Sequence, residues 1–140
     1  MSQLEFIKSY MEEMDNALQG VPQERIDAAI NLLFEVWQNG KTVYAMGNGG
    51  SSSTASHFIG DIAKFTISEG KPRFKALGLT DNVPHVSALT NDNGFHAIFS
   101  EQLEPWIAEG DVLVGFSVHG GRDEGDGGPW SQNLIGAMQL

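Results

Sequence analysis

The stretch richest in potential chemistry spans residues 42–66. An apolar run at 43–46 gives way to a loop of glycine, asparagine and serine at 47–53, and a helical pattern carrying His57 and Asp61 follows directly. A strand that ends in small residues and turns into a helix presents backbone N–H groups and the positive end of a helix dipole at one place. The pattern therefore predicts a loop that binds an anion or sugar hydroxyl groups.

Two other interpretations of this loop are open. It is compatible with an ordinary strand-to-helix turn in which a serine caps the helix. A dinucleotide-binding loop is disfavoured because residues 47–52 lack the third glycine of G-x-G-x-x-G, and the lysine of a P-loop is missing as well. Four small residues in a row exceed what a turn requires, and open α/β folds bind ligands at the carboxyl edge of the sheet. Both points favour ligand binding.

His57 and Asp61 are four residues apart, so on a helix they share one face. Such a pair can act together on one ligand or metal ion. It can equally be a histidine held by an aspartate on a partly buried helix. A zinc site needs three or four protein ligands, and this spacing supplies two.

Composition limits the class of protein. A length of 140 residues with 41% hydrophobic content predicts one domain with a real core. The formal charge of -10 repels nucleic-acid phosphates, so we expect no nucleic-acid partner, although one phosphate can still be held by local donors. No apolar stretch is long enough to span a bilayer and no export signal is evident, so we expect a cytoplasmic protein without a membrane partner. The absence of cysteine excludes disulfides and thiolate metal sites.

Hydrophobic periodicity predicts two helices, at residues 2–18 and 22–39, before the first strand. Short β-branched and aromatic runs predict strands at 41–46, 74–79 and 111–117, and helical patterns lie at 51–65, 83–89, 97–107 and 130–140, with a polar turn at 91–94. Strands that alternate with helices pair in parallel, which predicts a doubly wound α/β fold. Three strands are few for such a sheet. We therefore expect a single domain, with N-terminal helices at about 2–39 and an incomplete α/β core at about 41–140, from the front of a longer protein.

Three segments carry a family resemblance: residues 43–51 with His57, residues 87–95 with 98–100, and residues 109–117. In this order they resemble the sugar isomerase (SIS) domain, and within it the phosphoheptose isomerases. The similarity extends over essentially the whole chain. It implies a flavodoxin-like or Rossmann-like parallel sheet and a cytoplasmic homotetramer assembled through the N-terminal helical pair. It also implies conversion of sedoheptulose 7-phosphate to D-glycero-D-manno-heptose 7-phosphate for lipopolysaccharide or capsule synthesis.

The resemblance assigns roles to individual residues. Asp61 takes the position of the family's catalytic base, and some members bind zinc through residues matching His57 and Asp61. No redox cofactor is implied, because an isomerisation moves hydrogen within the substrate. The residues implied to bind the sugar phosphate are Asn48, Gly49, Gly50, Ser51, Asp92 and Ser117.

The sequence departs from the family at two places. Asp61 is one methylene shorter than the family's glutamate, which withdraws the carboxylate and weakens proton abstraction. After Ser117, His119 and Arg122 take the place of two hydroxyl donors, and an acidic, glycine-rich stretch follows through residue 128. Arg122 is expected to supply a bidentate phosphate contact, unless both side chains belong to a solvated loop. The family's general-acid histidine would lie beyond residue 140.

The preferred hypothesis is an aldose–ketose isomerase in which Asp61 moves a proton between adjacent carbons through an enediol. The alternative is a SIS module that binds a phosphosugar or regulates replication initiation without turnover. The shortened Asp61 and the altered phosphate loop favour this alternative, and Asp92 can be explained as an ordinary turn residue. A third interpretation is an inactive fragment, if the natural chain ends at residue 140.

Overall fold

A computed structural model describes residues 1–118, 120 and 131–140, which form two compact units, Met1–Phe34 and Glu35–Leu140. The first unit contains helix α1 (Gln3–Gln19) and most of helix α2 (Gln23–Gln38). Ser2 begins α1 with a capping box: its hydroxyl accepts the N–H of Glu5, and its own N–H donates to the Glu5 carboxylate. In the described part of the chain, no helix is both long enough and apolar enough to cross a membrane.

The second unit is built on a three-stranded parallel sheet in the order β2-β1-β3. The strands are β1 (Thr42–Gly47), β2 (Lys75–Gly78) and β3 (Val112–Phe116). The helices are α3 (Gly50–Phe65), α4 (Val83–Asp92), α5 (Ser100–Leu103) and α6 (Gln132–Met138), with a 3₁₀ turn at Phe95–Ala97. The doubly wound parallel α/β fold predicted from the sequence is confirmed.

The core of this unit forms around the central strand β1, whose residues 43–47 are all buried. Tyr44 and Met46 lie on one face of the strand and pack in a cluster that includes Phe99, Leu103 and Leu134. Since successive strand residues alternate in direction, the other face is left to α3, which contacts all three strands. Helices on both faces explain why β1 is apolar along its length rather than alternating.

One predicted element is wrong. The helix expected at 97–107 is a 3₁₀ turn at Phe95–Ala97 followed by the single helical turn of α5. Gly94, with a φ of 93°, separates α4 from the 3₁₀ turn. Pro105 has no N–H with which to extend α5. The other elements agree with the prediction to within a few residues, although α4 continues to Asp92 and so includes half of the predicted polar turn.

Gly47 ends β1 where the chain has no room for a side chain. A Cβ at this position would lie 2.6 Å from the carbonyl carbon of Ser51 and 2.9 Å from the Ser51 Cβ. We expect Gly47→Ala to lower the free energy of unfolding by about 1–3 kcal/mol, because backbone rather than a flexible side chain must move. Gly60→Ala is the control, since its Cβ would meet open space within α3 and should stabilise the helix by about 0.5–1 kcal/mol. Urea unfolding of both variants measures the difference, and a Gly47→Ala protein as stable as the wild type would contradict this account.

Tyr44 predicts a loss of stability at alkaline pH. Its phenol is buried and donates to the carbonyl oxygen of Trp106 at 3.2 Å; burial raises the pKa of Tyr44, and the nearby charge of Asp111 raises it further. Above pH 10.0 the phenol ionises more readily in the unfolded chain, so the free energy of unfolding should fall as pH rises through the folded pKa. Tyr44→Phe should lack this part of the fall. Urea unfolding between pH 8 and 11 tests it, with Tyr10→Phe as the control for removal of an exposed phenol.

Candidate functional site

A pocket lies at the carboxyl edge of the sheet, where β1 and β3 end side by side. The parallel register places Gly47 opposite Phe116, so the segments that follow the two strands meet. The pocket has a volume of about 390 Å³. Its walls include Asn48 and Ser51 after β1, Ser117 after β3, and Ser131 before α6.

The turn between β1 and α3 uses some of its own backbone N–H groups. Gly49 adopts φ 55° and ψ -124°, a conformation suited to glycine, and caps the helix without a side-chain hydrogen bond. The N–H groups of Ser51 and Ser52 donate to the carbonyl oxygens of Asn48 and Gly49 at 3.0 Å each. Two of the N–H groups expected to be free are therefore already used. Asn48 and Ser51 are the residues of this loop that line the pocket, whereas the predicted Gly49 and Gly50 are not among its lining residues.

Ser117 is held in place by the loop that it begins. Its Oγ accepts the N–H of Gly120 at 3.1 Å, and Gly120 has a φ of 69°. Since that oxygen acts as the acceptor, the hydroxyl proton is left to donate to a ligand. The described residues that line the pocket carry no basic side chain, so an anion bound there would be held by neutral donors.

His57 and Asp61 line a neighbouring cleft of about 510 Å³ on α3. His57 Nε2 lies 3.4 Å from Asp61 Oδ2, and the side chains are 81% and 49% exposed. Phe116 lines both this cleft and the pocket, and its ring packs edge-to-face on Phe58 at a centroid distance of 5.4 Å. Asp61 follows Ser51 by ten helical residues, which corresponds to a rise of about 15 Å along α3.

The donor set of this cleft does not by itself fit zinc. His57 and Asp61 supply two ligands, and they contact each other. In the range that the structure describes, no three histidine, aspartate or glutamate side chains are grouped so that they could hold a metal ion. Because zinc needs three or four protein ligands, the pair alone is not a zinc site.

A polar cluster fixes α3 immediately before His57. The hydroxyl of Ser56 donates to the Asp81 carboxylate and lies 3.1 Å from the Thr80 hydroxyl. Asp81 and Thr80 follow the end of β2, so these contacts tie the helix that carries His57 to the same edge of the sheet.

The predicted site residue Asp92 lies away from the pocket. Asp92 is exposed in the last turn of α4, where its carboxylate accepts the side-chain amide of Asn91 at 2.7 Å. It does not line the pocket, although Phe95, three residues later, does. His119 and Arg122 lie outside the described residues, so their predicted roles stay predictions.

Two residues on the α6 side of the pocket were not predicted from the sequence. Ser131 lines it with a left-handed backbone (φ 61°, ψ 34°), and Asn133 is completely buried and hydrogen-bonded to Asn48. A serine immediately before a helical pattern is a recognisable signal for a helix N-cap and could have directed attention to Ser131. No local signal indicates Asn133, because its partner is 85 residues away along the chain.

Comparison with known proteins agrees with this geometry. Residues 8–123 match the SIS domain. The chain belongs to the SIS domain family. Lincomycin biosynthesis protein LmbN of Streptomyces lincolnensis is 41% identical over 134 residues, covering 96% of this chain. The phosphoheptose isomerase of Citrifermentans bemidjiense is 36% identical over 115 residues, covering 81% of this chain.

A solved structure of this family has the same fold. The phosphoheptose isomerase from Francisella tularensis superposes on 99% of this chain with a TM-score of 0.84 at 27% identity. The resemblance to phosphoheptose isomerases stated from the sequence is thereby confirmed. The chain spans 48% of LmbN, 58% of the Citrifermentans enzyme and 69% of the Francisella chain.

Proposed function

We propose that this SIS domain belongs to a phosphosugar isomerase that interconverts a ketose phosphate and an aldose phosphate. The substrate pair that we propose is sedoheptulose 7-phosphate and D-glycero-D-manno-heptose 7-phosphate. The observation that carries the proposal is the pocket of neutral donors at the ends of β1 and β3, which shares the lining residue Phe116 with a cleft containing a carboxylate. The names of the phosphoheptose isomerases to which the chain is similar support the same reaction.

In the proposed mechanism, Ser51, Ser117 and Ser131 donate hydrogen bonds to the phosphate, while Asn48 binds a sugar hydroxyl. The Asp61 carboxylate removes a proton from C1 of the ketose as the C2 carbonyl oxygen gains one, which gives a 1,2-enediol. Return of a proton to C2 and loss of the C1 hydroxyl proton then give the aldose. No electrons leave the substrate, so the reaction as written needs no redox cofactor.

We also propose that the protein acts in the cytoplasm as a homotetramer. Asp61 lies about three helical turns from the Ser51 loop of its own chain and is half exposed, so a site shared between copies would bring a carboxylate closer to the pocket and shield it. If zinc binds His57 and Asp61, any further histidine, aspartate or glutamate ligand must come from outside the described residues of one chain.

Asp61 is the residue on which the catalytic proposal depends. We expect Asp61→Asn to lower kcat by at least about 100-fold with little change in KM, because it removes the proton acceptor and keeps the size of the side chain. Glu69→Gln, which removes one exposed negative charge shortly after α3, should leave both constants unchanged. NMR detection of the aldose formed from sedoheptulose 7-phosphate measures the rates. Full turnover by Asp61→Asn would refute the assignment of Asp61 as the base.

Ser117 should act on binding rather than on the chemical step. Loss of one hydrogen bond to a charged phosphate predicts a rise in KM of about tenfold for Ser117→Ala, with kcat within about twofold of the wild type. Ser87→Ala, at an exposed position on α4, is the matched control. A Ser117→Ala protein with an unchanged KM would mean that the phosphate binds elsewhere.

The second candidate function is a SIS module that binds a phosphosugar without converting it. The exposure of Asp61 favours it, since a carboxylate that is 49% exposed lies in contact with bulk water rather than inside an enclosed reaction site. Calorimetric binding of sedoheptulose 7-phosphate without aldose formation by the wild type would select this function over the isomerase.

A further inference from the structure

Asn48 and Asn133 form a closed amide pair beside the pocket. Asn48 Nδ2 donates to Asn133 Oδ1 at 2.9 Å, and Asn133 Nδ2 donates back to Asn48 Oδ1 at 2.7 Å. Two primary amides joined in this way form a ring of two hydrogen bonds. The ring links the loop after β1 to the first turn of α6.

The direction of these hydrogen bonds is set by the backbone. A pair of amides would satisfy the same two contacts if both side chains were flipped, because nitrogen and oxygen would simply exchange roles. The N–H of Leu134 favours one of the two orientations. It points at both Asn133 Oδ1 and the carbonyl oxygen of Ser131, each at 3.0 Å, and a flipped Asn133 would set its own N–H group against this donor. The orientation of Asn133 therefore dictates the orientation of Asn48.

The two asparagines differ in their access to a ligand. Asn133 is 0% exposed and cannot touch anything in the pocket, whereas Asn48 is partly exposed and lines it. After pairing, the Asn48 amide has one N–H and one oxygen lone pair left to offer. A group that both donates and accepts at fixed positions suits a hydroxyl of the substrate.

We propose that Asn133 is a positioning residue that fixes which way the Asn48 amide faces the bound sugar. This inference rests on the proposed function, because it assumes that Asn48 contacts the substrate. Loss of the pairing should weaken substrate binding while leaving the fold and the chemical step largely intact.

Asn133→Asp provides a test with its own pH signature. The variant has the same shape, and one carboxyl oxygen still accepts from Asn48 and Leu134. When the carboxyl group is ionised, its other oxygen faces Asn48 Oδ1 and repels it; when protonated, its O–H donates to that oxygen and restores the ring. Burial raises the pKa of the introduced carboxyl group, so both states are accessible in an assay.

We expect the KM of N133D for sedoheptulose 7-phosphate to exceed that of the wild type about tenfold at pH 8.5, and the ratio to approach one at about pH 5.5. Measuring the wild type at each pH cancels the titration of the substrate phosphate. The kcat ratio should change by less than about threefold. Asn16→Asp, at an exposed position on α1, controls for the added charge and should show no pH-dependent KM ratio.

A second variant and a ligand-free measurement complete the design. Asn133→Ser cannot reach Asn48 and should raise KM by a similar factor at every pH, which covers the case in which N133D does not fold. In ¹⁵N-labelled wild type, the Asn48 side-chain N–H in the pair should exchange with water more slowly than in N133S, with thermal melting as the check on folding.

The outcomes separate this inference from the proposed function. Wild type that neither binds nor converts the sugar phosphate, yet shows slow exchange of the Asn48 amide, overturns the function and with it the substrate role of Asn48. If the wild type is active, and N133D and N133S both fold and keep the wild-type KM at all pH values, the positioning role of Asn133 is overturned while the proposed function stands. The pH-dependent KM ratio in N133D, with a pH-independent one in N133S, supports it.

Discussion

The parallel pairing of β1 with β3 is the constraint on which the site depends. Because Gly47 lies opposite Phe116, both strands end at the same level and their following segments, at Asn48 and Ser117, line one pocket. A shift of one residue would also turn every side chain of β1 to the other face of the sheet. Since Tyr44 and Met46 belong to the core cluster on one face, the packing of the core and the geometry of the pocket fix the same register.

The sequence predicted the elements that are set by local pattern. Runs of apolar and β-branched residues located all three strands, and their alternation with helices was enough for the parallel doubly wound fold. The error at 97–107 arose because the apolar spacing was helical while Pro105, which has no N–H to donate, prevented a helix from continuing to residue 107. Hydrophobic periodicity shows which residues face the core but not the local backbone conformation. Phe99 packs in the core from the turn before α5, and Leu103 packs there from α5 itself.

The site was predicted less completely, for a physical reason. The positions of Asn48, Ser51 and Ser117 could be anticipated because each follows a strand, so topology alone places them at one edge, whereas their individual binding roles came from the family resemblance. The amide pair of Asn48 and Asn133 depends on packing between segments 85 residues apart, which no spacing rule detects. Asp92 illustrates the reverse case: its local sequence suits both a turn and a binding site, and the structure places it at the end of α4 rather than in the pocket.

Neutral donors explain how such a pocket can hold an anion on a protein with a formal charge of -10. Screening limits the repulsion from distant carboxylates to a range of about 8 Å at physiological salt, whereas hydroxyl and amide dipoles act at contact distance. Their effect depends on orientation, because a dipole turned the wrong way repels the group that it should bind. The backbone supplies that orientation twice. The Gly120 N–H donates a hydrogen bond to the Ser117 hydroxyl oxygen, and the Leu134 N–H donates one to Asn133 Oδ1, which orients the amide pair. Neither bond involves a side chain that titrates, so the arrangement of donors is independent of pH even where the charge of a bound phosphate is not.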